Sequence, residues 1–352
     1  MVGATLMAKQ ERGAPMLDLA NKTVLVAGGA GYIGAHVCKA LADAGAVPVT
    51  LDDLSSGHAD AVRWGPLVRV DLRDRAATLA ACRDHADAHA VVHLASSIEV
   101  GLGERDPEGF YENNMIGAFN LLAGMRAAGL DRLIFSSTCA TYGETDTVPL
   151  TEDTPQQPFS VYGKTKLAIE HMIQSYHRAY GLRYVTLRYF NASGADASGE
   201  IGERHEPETH LIPIAMEAAA GRRGRMKIFG TDYPTPDGTC VRDYIHVSDI
   251  AQAHLDCLDA FERGLDAAEI NVGTGAGLSN LQILEAIGRV TGRPVPYDPA
   301  PRRDGDLSQL YADPARARDV IGFTARHSDI DNIIGTAWNF HSRQWALDEA
   351  AE

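Results

Sequence analysis

KTVLVAGGAGYIGAHVCKALADAGAVPVTLDD, residues 22–53, is the stretch that decides the fold. Its short apolar run, Thr23–Ala27, is typical of a buried parallel strand. Three regularly spaced glycines follow within Gly28–Gly34, and a helical pattern then runs through Ala35–Gly45. A second apolar run, Val47–Leu51, completes a strand–loop–helix–strand unit, which predicts the start of a parallel α/β sheet.

The glycine loop has the form GxxGxxG, with Gly28, Gly31 and Gly34 at its fixed positions. Glycines between a strand and a helix allow a tight turn and let a pyrophosphate approach the helix N-terminus closely. Asp52 ends the second strand, where a carboxylate can accept hydrogen bonds from a ribose 2′-hydroxyl and would repel a 2′-phosphate. The stretch therefore predicts a dinucleotide site that favours NAD over NADP. Asp71 is either an adenine contact or a solvated loop acid.

The alternation of strands and helices continues to about residue 190. Further apolar runs predict strands at Val68–Val70, Ala90–Leu94, Arg132–Phe135 and Tyr184–Tyr189. This pattern predicts an α/β fold with a Rossmann-type doubly wound parallel sheet. After Asn191 the chain becomes rich in Gly, Pro, Glu and His, which indicates a smaller C-terminal mixed α/β substrate domain.

The change in composition divides the chain into predicted parts. We expect residues 1–20 to be a disordered or extra N-terminal lead. Residues 21–190 together with 238–263 are expected to form the NAD-binding domain, and residues 191–237 together with 264–345 the substrate domain.

Composition and charge narrow the classes of partner. The formal net charge is −15, which argues against a nucleic-acid or anionic-membrane surface. No run approaches the roughly 18 apolar residues that a membrane helix needs. Five cysteines are scattered without CxxC spacing, so we expect reduced thiols, a cytoplasmic location and no metal site.

A tyrosine and a lysine stand four residues apart at the start of a predicted helix. The spacing of Tyr162 and Lys166 puts both side chains on one helix face. A free tyrosine, with a pKa of about 10, is a poor base at neutral pH. We expect the Lys166 ammonium and a positive nicotinamide to lower that pKa. Ser136 and Thr138 follow the fifth strand directly, at the sheet edge where ligands of open α/β sheets bind.

With these features the sequence resembles the extended short-chain dehydrogenase/reductase family and, within it, the nucleotide-sugar 4-epimerases. The similarity runs from Lys22 to about Trp338. The long stretch IFGTDYPTPDGTCVRDYIHV is its most specific part. The segments that carry it are GGAGYIG at Gly28–Gly34, FSST at Phe135–Thr138, YGKTK at Tyr162–Lys166, RYFN at Arg188–Asn191, IFGTDYPTPDGTCVRDYIHV at Ile228–Val247 and APRRDGD at Ala300–Asp306.

The resemblance implies an NAD-dependent isomerase that inverts C4 of a UDP-hexose, with UDP-glucose and UDP-galactose as the first pair. Tyr162 would be the acid/base, Lys166 its tuning partner and Thr138 the catalytic hydroxyl. The implied cofactor contacts are Gly28, Gly31, Tyr32, Ile33, Gly34, Asp52, Asp53, Asp71, Leu72, Leu94, Ala95, Asn113, Ser136, Tyr162, Lys166 and Tyr189. The implied substrate contacts are Thr138, Tyr162, Phe190, Asn191, His210, Leu211, Lys227, Phe229, Arg242, Arg303, Asp306 and Leu310.

The sequence departs from the family pattern at three positions. Ile98 stands where a common form carries a lysine that reaches the cofactor, and His210 where some members have an asparagine beside the sugar phosphate. Leu310 occupies the position that gates the far wall of the sugar pocket. A large tyrosine there would restrict the pocket to plain hexoses, so the intermediate leucine keeps N-acetylated sugars open as substrates.

Other functions remain as alternatives. A UDP-xylose/UDP-arabinose epimerase would differ only in pocket contacts. A nucleotide-sugar dehydratase needs an acid pair after the strand-end threonine, and Cys139 and Ala140 stand there instead. A non-catalytic NAD-binding regulator would lack Tyr162 or Lys166. The resemblance and the apolar helical faces around Asn113–Met125 and Leu167–Tyr176 also predict a homodimer.

Overall fold

The computed structural model describes residues 18–145, 147–303 and 306–346. Most of the predicted lead, residues 1–17, therefore lies outside the described residues. Its end does not behave as a lead, because Leu19 is 1% exposed and packs in the main core. Asn21 is also held by the fold, because its backbone N–H donates to the carbonyl of Gly45. The folded chain thus begins before residue 21, earlier than predicted.

The described residues form strands and α-helices that we number along the chain. The strands are β1 (Thr23–Ala27), β2 (Val47–Asp52), β3 (Leu67–Arg69), β4 (Ala90–His93), β5 (Arg132–Thr138), β6 (Arg183–Tyr189), β7 (Asn191–Ser193), β8 (Met226–Phe229), β9 (Val241–His246), β10 (Ala267–Val272), β11 (Gly277–Ser279), β12 (Tyr297–Ala300) and β13 (Gln309–Leu310). The α-helices are α1 (Tyr32–Asp43), α2 (Arg75–Asp84), α3 (Val100–Arg105), α4 (Pro107–Tyr111), α5 (Gly117–Ala128), α6 (Val161–Tyr180), α7 (Leu211–Ala219), α8 (Val247–Glu262), α9 (Asn280–Thr291), α10 (Ala315–Ile321) and α11 (Ile330–Gln344).

Seven parallel strands make the large sheet, in the order β10-β6-β5-β4-β1-β2-β3. This confirms the predicted doubly wound parallel sheet, since the strand order reverses between β1 and β4. The central strands are apolar because helices cover both faces. Val24, Leu25 and Val26 of β1 are 0% exposed, and separate apolar clusters pack on the two sides of the sheet.

Strand pairing differs from the predicted domain limits at two places. Strand β10 lies within residues 264–345, yet it pairs in parallel with β6 and becomes an edge of the large sheet. Strand β9 lies within residues 238–263, yet it belongs to a small sheet with β7, β11 and β13. The reason is the crossover helix α8, which packs against α1 and returns the chain to the large sheet. No pattern in a single sequence shows that β9 leaves the large sheet and that β10 rejoins it.

Helix α6, which carries the tyrosine–lysine pair, has clear start and stop signals. Ser160 caps it by accepting a hydrogen bond from the N–H of Gly163 at 3.1 Å. Gly181 ends it with φ of 72°, a left-handed conformation that favours glycine. Across the described residues, no helix is both long enough and apolar enough to traverse a bilayer.

Candidate active site

A cavity of about 660 Å³ opens at the carboxyl ends of the large sheet's strands. Its walls come from the glycine loop after β1, the segments that follow β2, β4 and β5, the start of α6, and residues 201–213. Ligands of open α/β sheets bind at this place, where the strand order reverses. The cavity is large enough for a ligand of dinucleotide class.

The glycines of the loop are required for two different reasons. A Cβ on Gly34 would lie 2.0 Å from the carbonyl oxygen of Gly28, and a Cβ on Gly28 would lie 2.5 Å from the N of Ala95. These two glycines therefore let the loop close on itself. A Cβ on Gly31 would meet only the Gly28 oxygen, at 3.4 Å, so the protein itself leaves room there. That open space beside an N-terminus of α1 without a side-chain cap fits a bound pyrophosphate.

Asp52 holds the loop in place. Its carboxylate accepts hydrogen bonds from the N–H of Ala30 at 3.0 Å and of Leu54 at 2.9 Å. Burial raises the pKa of Asp52, while these two hydrogen bonds oppose the rise. Asp71 instead pairs with Arg73 on the cavity rim, and the hydrogen bonds from Arg73 hold the pKa of that carboxyl below its usual value.

The structure brings the predicted cofactor contacts together around this cavity. All of them lie on its lining: Gly28, Gly31, Tyr32, Ile33, Gly34, Asp52, Asp53, Asp71, Leu72, Leu94, Ala95, Asn113, Ser136, Tyr162, Lys166 and Tyr189. Ile98, which replaces the family's lysine, also lines the cavity and is 38% exposed.

The predicted catalytic side chains meet at the end of β5. The Thr138 hydroxyl lies close enough to the Tyr162 phenol to lower its pKa, and it accepts a hydrogen bond from the N–H of Ala140 at 3.1 Å. Lys166 is 2% exposed and donates from Nζ to the carbonyl of Ser136 at 2.8 Å. Its Nζ lies 5.8 Å from the centre of the Tyr162 ring. A hydroxyl donor, a phenol and an ammonium are thus fixed side by side on one cavity wall.

Burial dominates the electrostatics of this group. It raises the pKa of Tyr162 well above its usual value, and the neighbouring Thr138 hydroxyl is the contribution that lowers it. Burial also lowers the pKa of Lys166 to about 7, with Glu170 acting against this shift. The prediction that Lys166 and a positive nicotinamide together lower the tyrosine's pKa stays a prediction, because it requires the cofactor's charge as well as the lysine's.

Removing the Thr138 hydroxyl is expected to move the pH dependence of activity. A hydrogen bond to a charged group contributes about 1.5–3 kcal/mol, so losing it should raise the Tyr162 pKa by about one to two units. Thr138→Val should therefore shift the acidic limb of the kcat/KM–pH profile to higher pH and reduce turnover near neutrality. Thr138→Ser should restore the profile. Equal profiles for wild type and Thr138→Val would remove the threonine from the site's chemistry.

A buried ion pair beneath the site was missed by the sequence prediction. Arg188 and Glu170 pair at 2.7 Å, and both are at most 3% exposed. Glu170 also accepts from the hydroxyl of Ser137 at 2.5 Å, while Arg188 donates to the Tyr142 hydroxyl at 2.9 Å. The pair thus ties β5 and β6 to α6, one helical turn after Lys166. The i,i+4 spacing places Glu170 on the same face of α6 as Lys166, but nothing in the sequence pairs it with Arg188.

Asn114 is a second residue that the prediction missed. It sits in a π-helical turn, Glu112–Ile116, a feature frequent at functional sites. Its side chain accepts from the N–H of Ser97 at 2.7 Å and donates to the Thr165 hydroxyl at 3.1 Å. Neighbouring Asn113 donates to the Ser97 hydroxyl at 2.8 Å. The turn therefore fixes the cavity segment that follows β4.

The predicted substrate contacts separate into two groups. The first group lines the cavity: Thr138, Tyr162, Phe190, Asn191, His210 and Leu211. The second group gathers beside the small sheet. There Asp306 lies 2.8 Å from Arg303 and 3.9 Å from Arg242, and the Arg303 guanidinium covers the Phe229 ring at 4.9 Å. Among the described residues Arg303 pairs with Asp306, and its side chain is 59% exposed, so a ligand can reach its guanidinium.

Leu310 and Lys227 relate differently to these groups. Leu310 is in register with Arg242 and packs against a buried cluster that contains Phe190, so it links the second group to the cavity wall. Lys227 is exposed on β8 and lies outside the cavity lining. Strand alternation places it on the same face as Phe229 of the second group, while Met226 and Ile228 point into the core.

A cluster of two histidines and two glutamates forms part of the cavity wall. His210 Nδ1 lies 2.9 Å from oxygens of both Glu203 and Glu208, and His205 Nδ1 lies 3.2 Å from Glu203. Burial lowers the pKa of both histidines, but the negative charge of the two nearby carboxylates outweighs it and raises the pKa of His205 to about 9 and of His210 to about 10. His210 was predicted as a single substrate contact, and the cluster around it was not predicted.

Comparison with known proteins agrees with this geometry. Residues 24–273 match the NAD dependent epimerase/dehydratase family. A UDP-glucose 4-epimerase of Rhizobium leguminosarum bv. trifolii is 49% identical over 325 residues, which are 92% of this chain and 99% of that protein. A crystal structure of UDP-glucose 4-epimerase from Brucella ovis in complex with NAD is 50% identical, with a TM-score of 0.88 over 91% of this chain and 98% of that one.

A third similar protein is the UDP-glucose-4-epimerase from Stenotrophomonas maltophila, solved with bound NAD and formylated UDP-arabinopyranose. It is 38% identical, with a TM-score of 0.89 over 94% of this chain and all of that one. The glycine loop, the parallel sheet and the long, nearly complete similarity to these proteins agree. The chain belongs to the NAD dependent epimerase/dehydratase family.

Proposed function

We propose that the protein interconverts UDP-glucose and UDP-galactose by inverting C4 of the hexose with bound NAD. The observation that carries this proposal is the joint placement of Thr138, Tyr162 and Lys166 on the wall of a cavity that also contains the glycine loop. Proteins similar to this chain over almost all of its length include UDP-glucose 4-epimerases, and the Brucella ovis structure contains NAD.

The chain's own residues would handle the proton and the orientation of the sugar. Bound NAD supplies the redox chemistry, accepting a hydride from C4 and returning it to the opposite face. Tyr162 would take the proton of the 4-hydroxyl and give it back after the 4-keto sugar has rotated. Thr138 would hold the sugar oxygen beside the phenol. Lys166, fixed by the Ser136 carbonyl, would hold the nicotinamide ribose.

The two groups of predicted substrate contacts would bind opposite parts of the UDP-sugar. His210 and Asn191 line the cavity near the reacting sugar, whereas Arg242, Arg303 and Asp306 lie beside the small sheet. Guanidinium groups suit phosphate oxygens, and a carboxylate suits ribose hydroxyls. Binding the nucleotide firmly at a distance from C4 would leave the keto sugar free to turn over within the cavity.

The experiment that tests this function uses the purified protein with no NAD added. UDP-galactose and UDP-N-acetylgalactosamine are incubated separately, and the 4-epimers are quantified by chromatography. Conversion of UDP-galactose would support both the reaction and an NAD that stays bound through turnover. No conversion of either sugar, nor of UDP-xylose with NAD supplied, would contradict the proposed substrate class.

Leu310 is expected to set how large a 2-substituent the sugar pocket accepts. Leu310→Tyr should lower conversion of UDP-N-acetylgalactosamine relative to UDP-galactose by about tenfold or more, since small changes in an apolar pocket change specificity by 10–200-fold. Leu310→Met, a nearly volume-conserving change, should leave the ratio of the two rates unaltered. The measurement is the ratio of kcat/KM values, and an unchanged ratio in Leu310→Tyr would show that the gate lies elsewhere.

We also propose a homodimer formed by the outer faces of α5 and α6. The exposed large apolar side chains of this region include Tyr111 at 39%, Ile116 at 47%, Phe119 at 41% and Tyr180 at 53% exposure. Exposed apolar side chains grouped on neighbouring helices are typical of an interface. A second copy of the chain is the expected partner because the face is carried by two packed helices, α5 and α6, as in a helical dimer interface.

Size-exclusion chromatography with light scattering checks the dimer. Wild type is expected to elute at twice the chain mass. Phe119→Asp should shift the protein toward the monomer, because it places a charge in the middle of an apolar contact. Tyr297→Asp changes an equally large side chain on β12 and should remain dimeric. A monomeric wild type would contradict the proposal.

The alternatives from the sequence fit the site less well. The cavity has Cys139 and Ala140 after Thr138, so no acid pair for dehydration stands there. A regulator without catalysis would not need the Tyr162–Lys166 pair. A UDP-xylose/UDP-arabinose epimerase remains the second candidate, since the Stenotrophomonas maltophila structure holds a modified UDP-pentose. The five cysteines are free and buried, which supports a cytoplasmic location as part of the proposal.

A further inference from the structure

The histidine–glutamate cluster in the cavity wall has the composition of a metal site. One ligand atom from each of Glu203, His205, Glu208 and His210 lies within 4.8 Å of every other. The four close separations between a histidine nitrogen and a carboxylate oxygen are 2.9, 2.9, 3.2 and 3.7 Å. A tetrahedral ion with bonds of about 2.0–2.2 Å needs its ligands about 3.3–3.6 Å apart. The His205 separations, 3.2 Å to Glu203 Oε1 and 3.7 Å to Glu208 Oε2, bracket that range, and the His210 ring would have to move outward from its 2.9 Å contacts with Glu203 Oε1 and Glu208 Oε1.

A second observation concerns His205 alone. Its Nδ1 is enclosed by protein and points between the two carboxylates, yet it makes no hydrogen bond of acceptable geometry among the described residues. The ring nitrogen faces two carboxylate oxygens, but its direction is not aligned with either of them. It therefore points to a centre between the two oxygens. Metal ligands converge on such a centre, whereas ion-paired side chains align with their partners.

The two carboxylates of the cluster face its histidines, and a divalent ion could replace the protons that those imidazoles carry. Glu203 and Glu208 are 6% and 8% exposed at the side chain. In the part of the chain that the structure describes, neither forms a salt bridge with a lysine or arginine; Arg204, which lies between them in sequence, pairs with Asp60 instead. Two nearly buried carboxylates must be neutralised, and the available groups are the two imidazoles.

We propose that Glu203, His205, Glu208 and His210 bind a divalent transition-metal ion of the zinc class. Two imidazoles with two carboxylates form a mixed nitrogen and oxygen donor set that suits such ions better than Mg²⁺ or Ca²⁺. The ion crosslinks residues 203–210, which run from the cavity wall into the N-terminus of α7. His205 packs edge-on against Tyr32 of the glycine loop at 6.5 Å, so the ion also steadies the nucleotide side of the cavity.

The test measures metal binding directly, without substrate. Untagged, full-length protein is stripped with a chelator, dialysed and titrated with Zn²⁺ by calorimetry. One equivalent is expected to bind, and its binding should raise the Tm by mass action. His205→Ala should bind Zn²⁺ at least about tenfold more weakly, since even supporting residues around a metal contribute that much. His171→Ala, an exposed histidine on α6, is the matched control and should bind like wild type.

Two further measurements keep the proposal falsifiable if His205→Ala folds poorly. Glu203→Gln keeps the side-chain shape and should weaken Zn²⁺ binding similarly. Co²⁺ added to wild type should give the visible d–d bands of a tetrahedral site, without the thiolate bands that any cysteine ligand would add. Absence of saturable Zn²⁺ binding by wild type, or equal binding by wild type, His205→Ala and Glu203→Gln, would overturn the proposal. None of these measurements uses the epimerase reaction, so a failure of the metal-binding proposal can be told apart from a failure of the proposed function.

Discussion

Replacement of Tyr162 by phenylalanine is expected to reduce turnover by about 10²–10⁴-fold, the contribution typical of a positioned general acid–base group. The change removes one oxygen and leaves the ring that packs on the cavity wall. The NAD content of the purified protein should therefore remain that of wild type, because the glycine loop and Asp52 are untouched. The measurements are initial rates with UDP-galactose and quantification of NAD released by denaturation.

The expected loss of turnover depends on how the site controls the pKa of the Tyr162 hydroxyl. Burial raises the pKa of Tyr162, so the protein's own residues favour the neutral phenol. The positive nicotinamide would favour the phenolate where the proton must be taken, which couples deprotonation of the sugar to the presence of oxidised cofactor. Burial would thus keep the Tyr162 phenol protonated until oxidised cofactor is bound, which does not oppose catalysis.

Tyr180→Phe is the matched control for this prediction. It removes a hydroxyl from the last residue of the same helix, where the side chain is 53% exposed. Its activity should equal that of wild type. If Tyr162→Phe retained near-normal turnover while Tyr180→Phe behaved the same way, the proton would have to be taken by another group, and the proposed role of Tyr162 would be wrong.

What the sequence could predict follows from how local each signal is. The glycine loop, the strand-end hydroxyls and the helix with Tyr162 depend on residues close in sequence, and the structure places each of them on one cavity. The boundaries of the two sheets depend on pairing between distant strands, and there the prediction was wrong for β9 and β10. Alternation of apolar residues identifies a strand but not which sheet it joins.

Side-chain clusters show the same limit. The Arg188–Glu170 pair joins residues 18 positions apart and was invisible until β5, β6 and α6 were packed together. The segment HEPETH contains His205, Glu208 and His210, but the sequence does not show that they lie together with Glu203. Only the fold brings the four side chains within reach of one centre. A lowered tyrosine pKa was expected from Lys166 together with a positive nicotinamide; the burial of Tyr162 and Lys166, which their spacing in sequence does not reveal, acts against the charged form of each.

Gly31→Val is expected to give a folded protein that has lost NAD and activity. Gly31 has φ of −82° and ψ of 176°, extended backbone that a β-branched residue adopts without strain. Its added Cβ would meet protein only at 3.4 Å, so the free energy of unfolding should change little. The two methyl groups would instead occupy the space beside the α1 N-terminus. That is where a pyrophosphate must approach for its oxygens to reach the helix amides.

The expected losses are large because displacement of the cofactor moves the reacting centres apart. A shift of about 1 Å can cost about 10²-fold in rate, and a dinucleotide that cannot seat its pyrophosphate is also lost on purification. The measurements are NAD content, turnover with NAD added back and thermal unfolding. Gly224→Val is the control, since a Cβ on Gly224 would meet nothing within 4 Å and the residue is far from the cavity lining.

The comparison of these two glycines separates a folding role from a binding role. If Gly31→Val unfolded readily while Gly224→Val did not, the loop would need glycine for its own closure, as Gly28 and Gly34 do. If Gly31→Val kept both its fold and its NAD, the pyrophosphate could not lie against this residue. We expect Gly31→Val to keep its fold and to lose NAD. The protein leaves the space beside Gly31 open, so a side chain there displaces the ligand and not another part of the protein.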